Sequence, residues 1–173
     1  MFQVNDIVVY GKHGVCKVTD VGTLSMSMVD KDELYYTLRP VYQKGAVIYA
    51  PIENNKTVMR SVISKQEAKK LINEIDDIET VRTGNEQERE AQYRVALRNC
   101  DCRELVKIIK TLYLKNKSRT KSGKKAMAVD ERYFRLAENQ LNEELAYVLG
   151  MNKEEVTDYI ANCVSEKKVT IHT

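Results

Sequence analysis

His13 and Cys16 stand three residues apart in the stretch VVYGKHGVCKV (8–18), and Cys100 and Cys102 form a C-x-C pair. An imidazole beside a thiol is the raw material of a metal site or a nucleophile. A metal site needs three or four ligands, and the only other histidine, His172, lies next to the last residue. C-x-C is not the C-x-x-C of zinc and redox sites, and no second pair follows it. Thiolate catalysis needs a histidine set against the cysteine by the fold. Strand alternation instead puts Cys16 on the face of Val18, toward a core, and leaves His13 in a turn between Lys12 and Gly14. No nucleotide-binding glycine loop, nucleophile elbow or H-E-x-x-H motif is present. The expectation is a protein that is not an enzyme, with no cofactor and no metal, whose cysteines are buried thiols.

The second chemistry-bearing feature is cationic. Lys115, Lys117, Arg119, Lys121, Lys124 and Lys125 fall within 11 residues, and Lys107, Lys110, Arg132 and Arg135 flank them. The whole 173-residue chain has a net charge of only +3, but residues 101–135 hold 11 basic and 4 acidic side chains, and residues 136–173 hold 3 and 7. Cations gathered on one surface suit the phosphate backbone of a nucleic acid. Ser118, Thr120 and Ser122 add hydroxyl donors for phosphate. No side chain stands out for reading bases, so little sequence specificity is expected.

Two kinds of module must position these residues. The first 60 residues read as five short strands, in DIVVY, GVCKVTDV, ELYYTLR, AVIYAP and TVMRSVI, separated by turn-forming stretches such as GKHG, QKGA and ENNK. Five strands this short suit a small, strongly twisted barrel of the Tudor or SH3 kind. In GVCKVTDV, alternation assigns Cys16, Val18 and Asp20 to one face. Leu24, Met26 and Met28 alternate with serines in TLSMSMVD, as core or as partner contacts.

At Ser64 the period changes. A capping box, Ser64 with Glu67, opens a helix with Ala68, Leu71, Ile72, Ile75 and Ile78 inward. After TGN (83–85) comes a helix of about a dozen residues with Tyr93 and Leu97 inward. Asp101 starts a third, with Leu105, Ile108, Ile109 and Leu112 as its stripe. KNKSRTKSGKKAMA (115–128) reads as a polar loop. Asp130 begins a long helix that Gly150 stops, Asn152 and Glu155 cap a short last one, and KKVTIHT reads as a frayed tail. The fold class is therefore α+β: a β module at 1–63 and an all-α helical domain at 64–173. No run of residues is apolar enough to span a membrane, and the first residues lack the pattern of a signal peptide. A cytoplasmic, nucleoid-associated location is expected.

FQVNDIVVYGKHGVCKV, YYTLRP and YAPIENNKTVMRSVIS together resemble the N-terminal domain of the CarD/CdnL family of bacterial transcription regulators, which is shared with the transcription-repair coupling factor. QYRVALR, VKIIKTLY and AENQLNEELA resemble its helical half less closely. The resemblance implies a Tudor-like domain that docks on the RNA polymerase β subunit. It also implies a helical domain that contacts promoter DNA at the upstream edge of the transcription bubble and stabilises the open complex. It places Leu24, Met26 and Tyr49 toward polymerase, with Leu24 and Tyr49 standing where familiar members have arginine. It places Tyr93, Arg94 and Arg132 toward DNA. Arg89 stands where those members carry a tryptophan wedge, and this chain has no tryptophan. With the basic block Lys115, Lys117, Arg119, Lys121, Lys124 and Lys125, these residues make the expected DNA face, acting on backbone and minor groove without sequence specificity. The alternative reading is an adaptor that docks on polymerase or a repair factor without functional DNA binding. A monomer, or a dimer paired or swapped through a free strand edge, is compatible with either.

Overall fold

The structure, a computed structural model, describes residues 1–26, 32–53, 56–82 and 84–171, the last five of them as backbone only. The chain divides into two compact units, Met1–Val62 and Ile63–Thr173.

The first unit is one antiparallel sheet. Its strands are β1 (Ile7–Tyr10), β2 (Val15–Thr23), β3 (Leu34–Pro40), β4 (Ile48–Pro51) and β5 (Met59–Ser61), in the order β4-β3-β2-β1-β5. The expected barrel is not closed: β5 pairs with β1 and β4 pairs with β3, and no ladder among the described residues joins β4 to β5. Closure requires a staggered ladder between the two end strands, and β4 and β5, four and three residues long, form none among the described residues.

The core face carries Val8, Tyr10, Cys16, Val18, Tyr36, Leu38 and Ala50, all buried, with Val21 and Ile48 packed against them. Strict alternation along β2 put Asp20 on this face. A β-bulge between Val18 and Asp20 shifts the register, so that Val18 lies opposite Leu38, Asp20 opposite Thr37 and Val21 opposite Tyr36. One extra residue flips the side-chain phase. It sends Asp20 to solvent and brings Val21 inward.

The β1–β2 connection is a 3-10 turn, Gly11–His13. Gly11 has φ +47°, and a Cβ there would lie 2.5 Å from Thr57 Cγ2; only glycine fits both demands. The His13 ring stacks on Tyr10 with centroids 5.7 Å apart. The Cys16 thiol donates weakly to the carbonyls of Gly14 and His13, at 3.6 and 3.9 Å. Imidazole and thiol thus each serve the turn. Partial burial and the adjacent Lys12 charge hold His13 below its usual pKa.

Among the described residues the second unit is built of five α-helices with two 3-10 turns. α1 (Lys65–Glu74) opens with the expected capping box: Ser64 Oγ accepts from the Glu67 N–H at 3.1 Å, and Glu67 accepts from the Ser64 N–H at 2.7 Å. Lys110 closes its far end, donating to the carbonyls of Ile75, Asp76 and Ile78 at 3.0, 2.7 and 2.7 Å. α2 (Glu86–Asn99) is capped by Asn85, and α3 (Cys102–Lys121) by Asp101.

The first half of the expected loop, from Lys115, is helix instead. α3 runs on to Lys121, leaving only 122–127 as connection. Nothing between 114 and 121 breaks a helix, cations suit a helix C-terminus, and the chain turns at Gly123, whose φ is +71°. α4 (Ala128–Leu149) begins two residues before Asp130 and ends at Gly150, in the left-handed region. A 3-10 turn (Lys153–Glu155) leads into α5 (Val156–Ile171), which is longer than expected and carries the presumed tail in helix as far as Ile171. His172 lies outside the described residues.

Leu105, Ile108 and Leu112 of α3 and Ala137, Leu141 and Leu145 of α4 are buried, at the helical spacing that makes a packed stripe. Buried Glu144 is satisfied on both oxygens, accepting from the Ile63 N–H at 2.9 Å and from the Cys102 thiol at 3.1 Å. The four cysteines form no disulfide. Among the described residues no helix is long and apolar enough to cross a membrane.

Candidate docking edge and nucleic-acid interface

In the sheet unit, β4 ends the sheet, so one of its sides has no strand neighbour among the described residues. Ile52 N–H donates to Leu34 O at 2.9 Å. In an antiparallel ladder such bonds recur at every second residue. Ala50 and Ile48, opposite Tyr36 and Leu38, therefore bond inward to β3, and the N–H and C=O of Tyr49 point off the edge. The Tyr49 side chain, 44% exposed, lies opposite Thr37 on the face away from the core. Pro51 lacks an N–H and limits how far a partner strand can pair along this edge. Leu24 is half-buried and Met26 exposed just beyond the end of β2. Met28 lies outside the described residues. Of the sheet's two edge strands, β4 and β5, it is β4 that carries Tyr49, while Leu24 and Met26 follow β2, an interior strand of the sheet.

In the helical unit the sequence-derived DNA residues separate into an interior group and an exposed group. Lys115 is only 20% exposed and bridges Glu86 at 3.0 Å and Asp130 at 2.9 Å. Asp130 is itself buried. Arg89, 21% exposed, pairs with Glu86 at 2.8 Å. Tyr93 is 2% exposed and packs on Tyr133, centroids 5.4 Å apart. Burial pushes its hydroxyl up to about 12, and that hydroxyl has no hydrogen-bond partner among the described residues. Glu86 is held below the usual carboxylate range, first by the Lys115 hydrogen bond. Arg89, Tyr93 and Lys115 thus tie the start of α2 to α3 and α4. Helical spacing had Tyr93 inward and the resemblance had it outward; packing follows the spacing. Lys107 is drawn to Glu104 at 2.6 Å, and Lys110 is the cap described above.

The exposed group is different. Lys117, Lys121, Lys124 and Lys125 are exposed and form no ion pair among the described residues. Lys117 lies over the Tyr113 ring, 5.9 Å from its centroid. Arg119 Nε donates to Lys125 O at 2.9 Å, and Arg119 O accepts from the N–H of Ser122 and of Lys124 at 3.0 and 2.9 Å. Arg119 therefore folds the connection back onto the end of α3, a role its place in a basic run does not reveal. Nearby, Arg132 lies over the Tyr133 ring at 5.6 Å. Tyr133 donates to Glu90 at 2.8 Å, and Arg94 pairs loosely with the same Glu90 oxygen at 3.8 Å. Arg94 and Arg132 thereby flank one tyrosine on the α2–α4 seam.

The interior pairs fix the geometry of this end. Glu86, Lys115 and Asp130 lie level with one another, so the start of α2, the last turns of α3 and the start of α4 share one end of the helical unit. Arg132 lies about 7 Å along α4 from Met127, at 1.5 Å per residue. The exposed cations of the seam and of the α3–α4 tip are therefore neighbours. Among the described residues no group of three or more His, Cys, Asp or Glu side chains is placed to hold a metal ion.

Residues 2–63 match the family model of the CarD-like/TRCF RID domain. No curated protein matches the chain.

Proposed function

Starting from a chain whose residues 2–63 form a CarD-like/TRCF RID domain, we propose that it is a non-enzymatic transcription regulator that docks on the RNA polymerase β subunit. Its N-terminal sheet domain makes the protein contact. Its helical domain meets promoter DNA near the upstream edge of the bubble and so stabilises the open complex in the cytoplasm. The domain match is the observation that carries the reading. The open β4 edge supports it, because a strand with unsatisfied main-chain groups and an exposed tyrosine is suited to accept a partner strand. Main-chain pairing does not require the two arginines that Leu24 and Tyr49 replace. The unpaired cations at one end of the helical unit support the DNA contact.

The test is retention of cognate RNA polymerase by the immobilised full chain, wild type against Tyr49→Glu. Tyr49 lies away from the core, so the substitution leaves the fold intact, which circular dichroism checks. Wild type retains polymerase and the variant loses at least tenfold in affinity. Absence of retention by wild type would remove the docking reading.

A further inference from the structure

We infer that the α3–α4 tip is a preformed clamp for the phosphate backbone of intact duplex DNA, built by Lys117, Lys121, Lys124 and Lys125 and held in shape by Arg119. This rests on the DNA contact proposed above and names its surface and its mode.

Three observations carry it. The first is charge without compensation. Between Leu114 and Val129 the chain has no acidic residue, and the nearest acid along it, Asp130, is buried against Lys115. Cations at a helix C-terminus gain from the helix dipole, but that effect fades within the last turn. It accounts for Arg119 and Lys121, not for two further lysines beyond the helix.

The second is order. A solvated basic loop would need no internal ties. This connection has six: the Arg119 side chain to Lys125 O, the Ser122 hydroxyl to Ser118 O, and N–H bonds from Ser122, Gly123 and Lys124 to the carbonyls of Ser118, Arg119 and Thr120, with the Ser122 N–H bonded to two of them. Lys124 and Lys125 are thus presented beside Lys121, and less chain entropy is lost on binding.

The third is the absence of a wedge. Opening or splaying base steps takes a flat apolar face inserted between them. At this end Tyr93 and Tyr133 are buried, and Arg89 is held by Glu86. Tyr113 is exposed, but it lies two turns back from Lys121 with Lys117 against its ring. Leu114, Met127 and Val129 are also exposed here, but none is an aromatic face; the charged groups beside them, the clamp lysines with Arg94 and Arg132 nearby, bind phosphate and carry no sequence information. The clamp therefore has no preference for a melted junction over closed duplex. Its contribution to an open complex comes from holding upstream duplex, not from propping the fork.

The experiment is fluorescence anisotropy of the full chain with a labelled duplex, a second duplex of unrelated sequence and a forked duplex of equal length, between 50 and 200 mM salt. Wild type binds all three within about twofold, with a log–log salt slope of about −4, one phosphate per clamp lysine. Neutralising Lys121→Gln, Lys124→Gln and Lys125→Gln together reduces that slope by about 2 to 3. Arg119→Ala weakens binding at least threefold while melting and helical content stay within error, because it loosens the tip and not the bundle. Clearly tighter binding to the fork, tighter binding to RNA of the same length, or an unchanged slope in the triple variant would each overturn the proposal. The same triple variant is tested for polymerase retention. Retention with duplex binding lost supports the clamp, and duplex binding absent from wild type with retention intact would overturn the clamp alone.

Discussion

Lys115 and Lys121 lie six residues apart on one helix, and the sequence gives no reason to treat them differently. Lys115 is folded between Glu86 and Asp130, one-fifth exposed. Lys121 stands in solvent with no acidic partner among the described residues. The difference is where α3 stops being covered. Beside Lys115 the start of α2 and the first turn of α4 close over the helix, and a bare charge there needs counter-charges. One and a half turns later nothing covers it, and the same side chain is available to a polyanion. A basic run is thus two objects, a strut and a surface.

The largest effect is expected at the strut. Asp130→Leu leaves Lys115 with only Glu86 and costs about 3 kcal/mol, the low end for a broken buried pair. Urea unfolding of the full chain reads it. Adding Lys115→Met to that variant restores stability to within about 1 kcal/mol of wild type, since an apolar pair replaces a buried ionic one. A cost below 1 kcal/mol for Asp130→Leu would mean that Lys115 is as solvated as Lys121.

The next effect is one of pH. Burial raises Tyr93 to about 12, above its unfolded value of 10. The neutral phenol therefore contributes its full stability below pH 10, and that contribution disappears as the pH climbs from 10 to 12. Tyr93→Phe removes the ionisable group, so its unfolding midpoint falls less than that of wild type across this window. At neutral pH the same variant is neutral to about 1 kcal/mol more stable, because the buried hydroxyl it removes is unpaired. Equal alkaline losses in the two proteins would place Tyr93 outside the packed seam.

The smallest effect on stability is at the surface. Lys121→Gln changes unfolding by less than about 0.5 kcal/mol, yet it lowers the salt slope of DNA binding by about 1. A stability loss as large as that of Asp130→Leu would erase the distinction between strut and surface.

Much of this architecture is legible along the chain. Alternation located the strands, and Ser64 with Glu67 marked where helices begin. Gly11 and Gly14 marked the turn that makes His13 and Cys16 neighbours without making them a site. What escapes is non-local. The bulge at Val18 and Asp20 is a choice of ladder register made against Leu38 and Thr37, and nothing in GVCKVTDV declares it. The run after Leu114 is polar enough to pass for a loop, and its helicity comes from the lack of any breaker before Gly123. Lys115 meets an acid 29 residues before it and another 15 after it, a pairing that only tertiary packing creates. Arg119 looked like one more cation for DNA, and its hydrogen bond to Lys125 O is invisible until the tip is folded. The open β4 edge depends on strand order, which short strands leave undetermined, and the barrel expected from them does not close.

The most direct test of the account is the lifetime of promoter open complexes after competitor challenge. Polymerase alone is compared with polymerase plus wild type, plus Tyr49→Glu, and plus the Lys121, Lys124 and Lys125→Gln variant. Wild type lengthens the lifetime, Tyr49→Glu gives no extension because the protein is no longer held on polymerase, and the triple variant gives a reduced extension. An unchanged lifetime with wild type, or full extension by Tyr49→Glu, would contradict the account.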